Sequence, residues 1–248
     1  MRVIAAFWMA LSMFTAVPLP YRPWRDDAVP LLLCWFPAVG VFLGALWALC
    51  AWLCARVSLP APLTAAVIAA APLLLTGFFH LDGFLDTSDA VLSRRDREER
   101  LRILKDSHVG AFAVISLGLL LLFQYAGALT MAQRAVSPRL LAVIPAASRA
   151  AAALAMTVCR PLSHSQYSGR TIPKGRAALL AAELLLVLAL SFLLAGYRGG
   201  AVAAGAMLVY AGALARAARD LGGVSGDLSG YALTGAECGA LVLAAILS

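Results

Sequence analysis

Seven of the thirteen carboxylates in this chain lie between residues 79 and 110, in the segment FHLDGFLDTSDAVLSRRDREERLRILKDSHVG. Within it Asp82, Asp86 and Asp89 follow i, i+4, i+7 spacing, which places three carboxylates on one face of a helix. Because like charges on one face repel, this arrangement indicates a bound cation. Carboxylate oxygens suit a hard ion such as Mg²⁺, with Mn²⁺ as an alternative, and such an ion can hold a phosphate or diphosphate. The spacing therefore predicts metal-dependent chemistry on a phosphate ester.

Positions beside this face are candidates for the same site. His80 could act as a general base, because a free imidazole titrates near neutral pH, or it could be a hydrogen-bonded interfacial residue. Gly83 would let a second backbone or a phosphate approach closely. A zinc site formed by His80, Asp82 and His108 is a further alternative, although it lacks the usual ligand spacing.

The end of the acidic segment carries a second group of candidates. Lys105, Asp106 and Ser107 lead into the next apolar run, where Asp106 could return to the site as a metal ligand and its neighbours could bind phosphate. The preceding stretch predicts an exposed helix without a catalytic role, because it contains pairs of opposite charge at i, i+4: Asp96 with Arg100, and Glu98 with Arg102.

A third group lies in the glycine-rich stretch LGGVSGDLSG, residues 221–230. Gly222, Gly223 and Gly226 would present backbone N–H groups without side-chain obstruction, which predicts a phosphate nest. Asp227 would add a metal ligand or a base. A plain turn between two membrane helices is the alternative.

Charged residues also occur inside apolar runs. Arg149 lies in SRAAAALAM, and Glu183 and Glu237 lie in other runs. A charge at such depth is costly unless it is paired or faces a hydrated cavity. Arg149 could therefore bind a substrate phosphate, or it could form an interhelical ion pair with Glu237 or Glu183.

The composition indicates where these residues lie. The chain has 248 residues, 62% of them hydrophobic and 13% charged, with a mean hydropathy of +0.86, which is typical of a polytopic membrane protein. Its net charge of +7 suits anionic lipid head groups or a phosphate-bearing substrate. A nucleic-acid partner is excluded, since no soluble domain could present a basic surface.

The chain contains several apolar runs that are long enough to cross a bilayer. They predict an all-α helical bundle in a single domain, residues 1–248, with the lipid bilayer as its partner. The first stretch, 3–20, contains Pro18 and Pro20 and could be interfacial, re-entrant or spanning. About seven transmembrane helices are expected after it, over residues 29–54, 60–80, 109–131, 140–159, 177–197, 199–218 and 232–248.

The basic residues of the connections predict an orientation. Fourteen of them lie in alternate connections and four on the opposite side, which places the richer side in the cytoplasm. The acidic segment and the glycine-rich stretch are both on that side. Asp227 could therefore share one composite site with Asp82, Asp86 and Asp89.

The motifs resemble those of a known family. HLDGFLDTSDA, then SRRDREERLRILKDSHVGAFAVI, and finally LGGVSGDLSG with Glu237 are similar, in order and over nearly the whole chain, to cobalamin synthase, the adenosylcobinamide-GDP ribazoletransferase family. The chain differs at His108, where arginine is expected, at Ala90, where glycine is common, and at FTAVPLP, which replaces an FTRLPVP-like entry.

The resemblance implies a Mg²⁺-dependent enzyme of the bacterial cytoplasmic membrane with its active site facing the cytoplasm. Such an enzyme joins adenosylcobinamide-GDP to α-ribazole, or to its 5′-phosphate, and releases GMP. Asp82, Asp86 and Asp89 would hold Mg²⁺, with Asp106 and Asp227 as further ligands or as the base. Lys105 and Arg149 would be phosphate contacts. The oligomeric state stays open, with a homo-oligomer as one option.

Two other function classes use similar features. A CDP-alcohol phosphotransferase or an aspartate-rich prenyl transferase would apply the same metal chemistry to another donor, but here Asp82-Gly83 is not followed by the Ala-Arg of the CDP-alcohol pattern. A transporter would use Arg149 and Glu237 as its pathway. The acids cluster at one membrane face, which favours an enzyme.

Overall fold

The computed structural model describes residues 2–20, 24–162, 173 and 175–248. Over these ranges the chain forms α-helices and one 3₁₀ helix, and no extended strand, which confirms the all-α prediction. Parts of the predicted connections 21–28 and 160–176, with Arg22, Arg170 and Lys174, lie outside the described residues. The helices are α1 Arg2–Phe14, the 3₁₀ helix Asp26–Trp35, α2 Phe36–Arg56, α3 Ala61–Leu75, α4 Phe79–Leu92, α5 Arg97–Ile103, α6 Ala111–Gln133, α7 Arg139–Val158, α8 Arg176–Leu221 and α9 Gly226–Ile246.

Several of these helices are long and apolar enough to cross a membrane, so the chain is a multi-pass membrane protein. Helices α3 and α4 meet at a bend of 91° and satisfy the same test only as a pair. The helical segments that pass alone, among the described residues, are Asp26–Arg56, Ala111–Gln133, Arg139–Val158, Arg176–Leu221 and Gly226–Ile246.

Helix α8 is a hairpin rather than one straight rod. Its 46 residues are interrupted at Ala195 and Gly196, whose backbone angles are not helical. A Cβ built on Gly199 would lie 2.2 Å from the carbonyl oxygen of Ser191, eight residues earlier, whereas eight residues of a straight helix span about 12 Å. The chain therefore reverses here. The two arms lie over the predicted spans 177–197 and 199–218. Among the described residues, five helical segments pass the test of length and apolarity, or six with the bent pair counted as one span, against the seven that the sequence predicts.

The bend between α3 and α4 separates a membrane helix from the acidic helix. The sequence predicts one span over 60–80, but α3 ends at Leu75. Shortly after it come Gly77 and Phe78, with φ of 58° and 62°. Two consecutive residues in the left-handed region cannot continue a helix. Helix α4 therefore leaves the direction of α3 and carries its carboxylates across the bundle towards α9.

Helix α1 is too short to span a bilayer. Its 13 residues extend about 20 Å, and the hydrocarbon core is about 30 Å thick. The helix packs beside the 3₁₀ helix, and the ring of Phe14 lies tilted against that of Phe36, the first residue of α2, at 4.5 Å between ring centroids. The sequence predicts the first stretch to be interfacial, re-entrant or spanning. The prediction that it spans is wrong for this helix alone.

Helix α7 lies at the centre of the bundle. It packs against α2, α8 and α9, and most of its residues are buried. Gly40 and Gly44 of α2 allow this packing, since a Cβ on either would lie within 2.5 Å of a carbonyl oxygen of α7. Because α7 also contacts α9, it supports the helix that carries Asp227.

Candidate active site

Helices α4 and α9 cross at a close contact formed by glycines. A Cβ built on Gly83 would lie 2.7 Å from the carbonyl oxygen of Asp227, and one built on Gly230 would lie 3.0 Å from that of His80. The hydroxyl of Thr234 donates to the same carbonyl of His80 at 3.2 Å. The N-terminal part of α9, from Asp227 to Thr234, therefore packs on α4, and the close approach at Gly83 is made by a second backbone.

This crossing brings Asp82, Asp86 and Asp227 together, although well over a hundred residues separate the first two from the third. Asp82 and Asp227 are exposed and Asp86 is half-buried. Asp86 interacts electrostatically with both of the others, and Asp82 also interacts with Asp227. In the described part of the chain, no ion pair includes any of the three. We call these three residues the acidic surface.

The acidic surface has the ligand chemistry of a magnesium site. Its donors are all carboxylate oxygens, and the repulsion among them is not offset by a described cationic side chain. Among the described residues, no three His, Cys, Asp or Glu side chains converge closely enough to hold an ion by themselves. Mg²⁺ typically keeps several waters and uses one or two carboxylates together with substrate phosphates. Two or three carboxylates side by side therefore fit this ion.

Asp89 has a different environment from Asp82 and Asp86. It is buried, and its two carboxylate oxygens accept from the backbone N–H groups of Gly110, at 2.7 Å, and Ala113, at 2.9 Å. These N–H groups lie at the N-terminus of α6, where backbone N–H groups have no carbonyl acceptor within their own helix. The structure thus gives Asp89 the role of fastening α6 to α4, whereas the sequence places it with the metal ligands.

Replacing Asp89 with Asn should lower the stability of the fold. An amide offers one oxygen and directs its NH₂ group at the second N–H, so one buried donor loses its acceptor at a cost of about 1–3 kcal/mol. Asp82→Asn is the matched control, since Asp82 is exposed and caps no helix. Thermal unfolding of the purified proteins in detergent measures the difference, and equal stability of the two variants would contradict the capping role.

The loop after α5 does not join the acidic surface in this structure. Lys105, Asp106, Ser107 and His108 are all exposed. Oδ1 of Asp106 accepts from the His108 backbone N–H at 3.0 Å and lies 2.7 Å from Nδ1 of the same residue. These two contacts lower the pKa of Asp106, so it is ionised at neutral pH. Within the described residues, no hydrogen bond or ion pair links the loop to Asp82, and its predicted ligand and phosphate-binding roles stay predictions.

His80 lies on the opposite side of α4 from the acidic surface. Two helical residues differ by about 200° in direction, so the imidazole turns inward when Asp82 turns outward. It is buried among the rings of Phe14, Phe36 and Phe79. This position does not support the role of general base. The zinc alternative is wrong as well, because His80 is buried, His108 is exposed and paired elsewhere, and no such group exists among the described residues.

Arg149 forms the interhelical ion pair that the sequence offers as an alternative to phosphate binding. It is fully buried, and its Nη1 donates to Oε1 of Glu237 and to the carbonyl oxygen of Pro145. Its guanidinium also lies over the ring of Phe36 at 5.7 Å. Glu237, rather than Glu183, is therefore the partner. A guanidinium enclosed in this way is not presented to a substrate phosphate.

The glycine-rich stretch contains the end of α8 and the start of α9. Gly222, with φ of 89°, and Gly223 both donate their N–H groups to the carbonyl of Ala218 at the end of α8. These are the N–H groups that a phosphate nest would need, so the nest prediction is wrong for Gly222 and Gly223. Ser225 caps α9, and Gly226 is its first residue. Gly226 thus remains at a helix N-terminus beside Asp227, where an anion is favoured.

Helix α5 is attached to the end of α8, which the sequence did not predict. Arg100 pairs with Asp220 at 3.0 Å rather than with Asp96, and Arg102 pairs with Glu99 rather than with Glu98. Asp96 caps α5 by accepting from the N–H of Glu99 at 2.9 Å. Arg97 donates to the carbonyl of Leu221. The partners of Arg97 and Arg100 lie more than a hundred residues away, so local charge spacing could not identify them.

Comparison with known proteins identifies the family of this chain. The profile of a family described as Cobalamin-5-phosphate synthase matches residues 6–245. Proteins named adenosylcobinamide-GDP ribazoletransferase are similar over most of their length: one from Clostridium perfringens (strain ATCC 13124) is 38% identical, with 96% of each chain covered, and one from Ralstonia nicotianae is 34% identical, with 92% of this chain and 89% of the relative covered. No solved structure matches the chain. The match spans every element that builds the acidic surface, and the chain belongs to the cobalamin-5-phosphate synthase family.

Proposed function

We propose that this protein is an adenosylcobinamide-GDP ribazoletransferase that joins adenosylcobinamide-GDP to α-ribazole or its 5′-phosphate and releases GMP. Family membership supports the reaction. The observation that carries it in the structure is the acidic surface, where Asp82 and Asp86 of α4 meet Asp227 of α9. Family membership also favours this reaction over the CDP-alcohol, prenyl-transfer and transport alternatives.

The reaction exchanges the phosphoanhydride bond of the diphosphate for a new phosphoester bond. A hydroxyl of the ribazole attacks the phosphorus on the cobinamide side of the diphosphate, a new P–O bond forms, and the bond to GMP breaks. The hydroxyl proton must go to a base. The carboxylates of the acidic surface, Asp82, Asp86 and Asp227, are the candidates, whereas His80 is buried on the other side of α4.

Mg²⁺ would be held by carboxylates of Asp82, Asp86 and Asp227 together with water and a substrate phosphate, and when bound it would neutralise the diphosphate and the charge that develops on the leaving phosphate. The carboxylates supply the ligands, and the crossing of α4 and α9 fixes their separation. Gly226, at the N-terminus of α9, adds a helix end that favours an anion beside them.

The direct test is release of GMP from adenosylcobinamide-GDP and α-ribazole by the purified protein. Activity should vanish with EDTA and return with Mg²⁺ or Mn²⁺, because the ligands are hard oxygens. Ca²⁺ should restore it poorly, since its longer bonds and looser geometry misplace the phosphorus. No GMP release with any of these ions would refute the function, and loss of turnover to a zinc-selective chelator in excess Mg²⁺ would refute the metal assignment.

The acidic surface should face the cytoplasm across the bacterial cytoplasmic membrane, as the excess of basic residues on that side predicts. In a cysteine-free background, Ser107→Cys and Arg219→Cys should be shielded from an impermeant thiol reagent in intact cells and labelled in inverted vesicles. Arg198→Cys, in the α8 hairpin turn, should show the opposite pattern. All three positions are exposed. Labelling of residues 107 and 219 from different sides would rule out this topology.

A further inference from the structure

Arg97, at the start of α5, is attached to the turn between α8 and α9. Its Nε donates to the carbonyl oxygen of Leu221 at 2.9 Å. Its guanidinium lies directly against Gly222, where a Cβ would be 1.9 Å from Nη2 and 2.1 Å from Cζ of Arg97. Any larger residue at position 222 would therefore displace the guanidinium. The arginine position and the missing side chain at Gly222 depend on each other.

This contact closes a ring of elements around the acidic surface. Helix α5 follows α4, and Arg97 fixes it to Gly222 at the end of α8. Five residues after Gly222, Asp227 lies in the first turn of α9, and its backbone contacts Gly83 of α4. The ion pair between Arg100 and Asp220, at 3.0 Å, strengthens the same attachment. The position of Asp227 is thus set from two directions, by α4 and by the turn that Arg97 contacts.

We propose that Arg97 and Gly222 form a clamp that positions Asp227 against Asp82 and Asp86. Arg97 acts as a positioning residue, because the Nε and one edge of its guanidinium are occupied by the turn at residues 221–222. The proposal rests on the proposed function only in treating the acidic surface as the place where the metal is held. Such supporting residues determine whether ligands are presented at the correct separation.

Removing the arginine should weaken metal binding as well as turnover. For Arg97→Ala we expect Mn²⁺ affinity and kcat each to fall about tenfold, the range for residues that orient metal ligands, with the KM for adenosylcobinamide-GDP unchanged. Arg95→Ala is the matched control: it removes the same charge two residues away, from an exposed arginine whose described hydrogen bond is made by its main-chain N–H. Arg97→Lys keeps the charge but loses the planar donor fork, and it should stay impaired.

The glycine side of the clamp can be tested independently. Gly222→Ala should reproduce the effect of Arg97→Ala, and the double variant should be little worse than either single one, because both remove the same contact. The new Cβ also strains a residue with φ of 89°. Gly175→Ala controls for that strain, since Gly175 has φ of 84° and a Cβ there would meet no atom of the described residues within 4 Å. It should retain metal affinity and turnover.

Mn²⁺ binding is measured by electron paramagnetic resonance titration of the purified protein without substrate, and thermal unfolding verifies that each variant is folded. Failure of the proposed function would appear as absence of GMP release by the wild type, while the Mn²⁺ comparison would still test the clamp. Wild-type Mn²⁺ affinity in Arg97→Ala would overturn the proposal. So would full rescue by lysine, or a raised KM with unchanged metal affinity, which would make Arg97 a substrate contact.

Discussion

Replacing Asp82 or Asp86 with Asn is expected to lower the rate of GMP release at least about a hundredfold while the protein stays folded. Each change keeps the shape of the side chain and removes a negative oxygen whose work is to stabilise charge in the transition state through the metal. Because these carboxylates repel each other, removing one charge should leave stability unchanged or slightly raised. Turnover and thermal unfolding, measured on the same preparations, separate the two effects.

Asp96→Asn is the control for these variants. Asp96 caps α5 through one hydrogen bond, and asparagine is an equally good capping residue, so both activity and stability should stay near the wild-type values. Should Asp96→Asn prove as damaging as Asp82→Asn, the distinction between the acidic surface and the solvated helix would be wrong. Asp89→Asn differs from Asp82→Asn and Asp96→Asn, because it is expected to lower the stability of the fold below that of the wild type.

Local spacing predicted the helix that carries the acids, but it could not separate their roles. The i, i+4, i+7 pattern correctly places Asp82 and Asp86 on one face of α4. Asp89 shares that face by spacing, yet the face runs from the exposed surface into the protein, where Asp89 meets the start of α6. Its partner N–H groups belong to a backbone 21 and 24 residues away. Every residue type except proline has the same backbone N–H group, so the sequence does not reveal which of these groups will contact Asp89.

The meeting of α4 with α9 was predicted only as a shared side of the membrane. Counting basic residues placed Asp227 and Asp82 on one face, but a common face does not give a contact. The contact depends on Gly83 and Gly230, whose missing side chains are needed only because two helices cross there. The same limit explains the error about Gly222 and Gly223. Their pattern fits a phosphate nest, while their N–H groups are used to end α8.

Buried charge is the other feature for which the sequence left two answers. Arg149 is unusual inside an apolar run, and both phosphate binding and an ion pair would account for it. Depth distinguishes them: the Arg149 side chain is 1% exposed and that of Glu237 is 12% exposed. The acidic surface is reached from outside the bundle, whereas this pair joins the central helix α7 to α9. We infer that the pair holds α9, and with it Asp227, in place.

Breaking this pair on one side should destabilise the protein strongly. Arg149→Met leaves the largely buried carboxylate of Glu237 without its cation, and Glu237→Met leaves the buried guanidinium of Arg149 without its anion, at a cost of about 3–5 kcal/mol in either case. The double variant Arg149→Met with Glu237→Met should regain most of that loss, because two apolar side chains of similar volume replace a desolvated ion pair. Ser148, which donates to Glu237, keeps the carbonyl of Pro145 as an acceptor.

The double variant also decides the role of Arg149 in the reaction. If the arginine is structural, the folded double variant should bind adenosylcobinamide-GDP with a KM close to that of the wild type, and any loss should appear in kcat through a shifted Asp227. If the arginine contacted the diphosphate, restoring stability would not restore affinity, and KM would rise at least about tenfold, the equivalent of one charge-assisted hydrogen bond. Equilibrium unfolding in detergent and steady-state kinetics on the three variants distinguish these outcomes, because an ion pair couples the two substitutions in stability and a substrate contact does not.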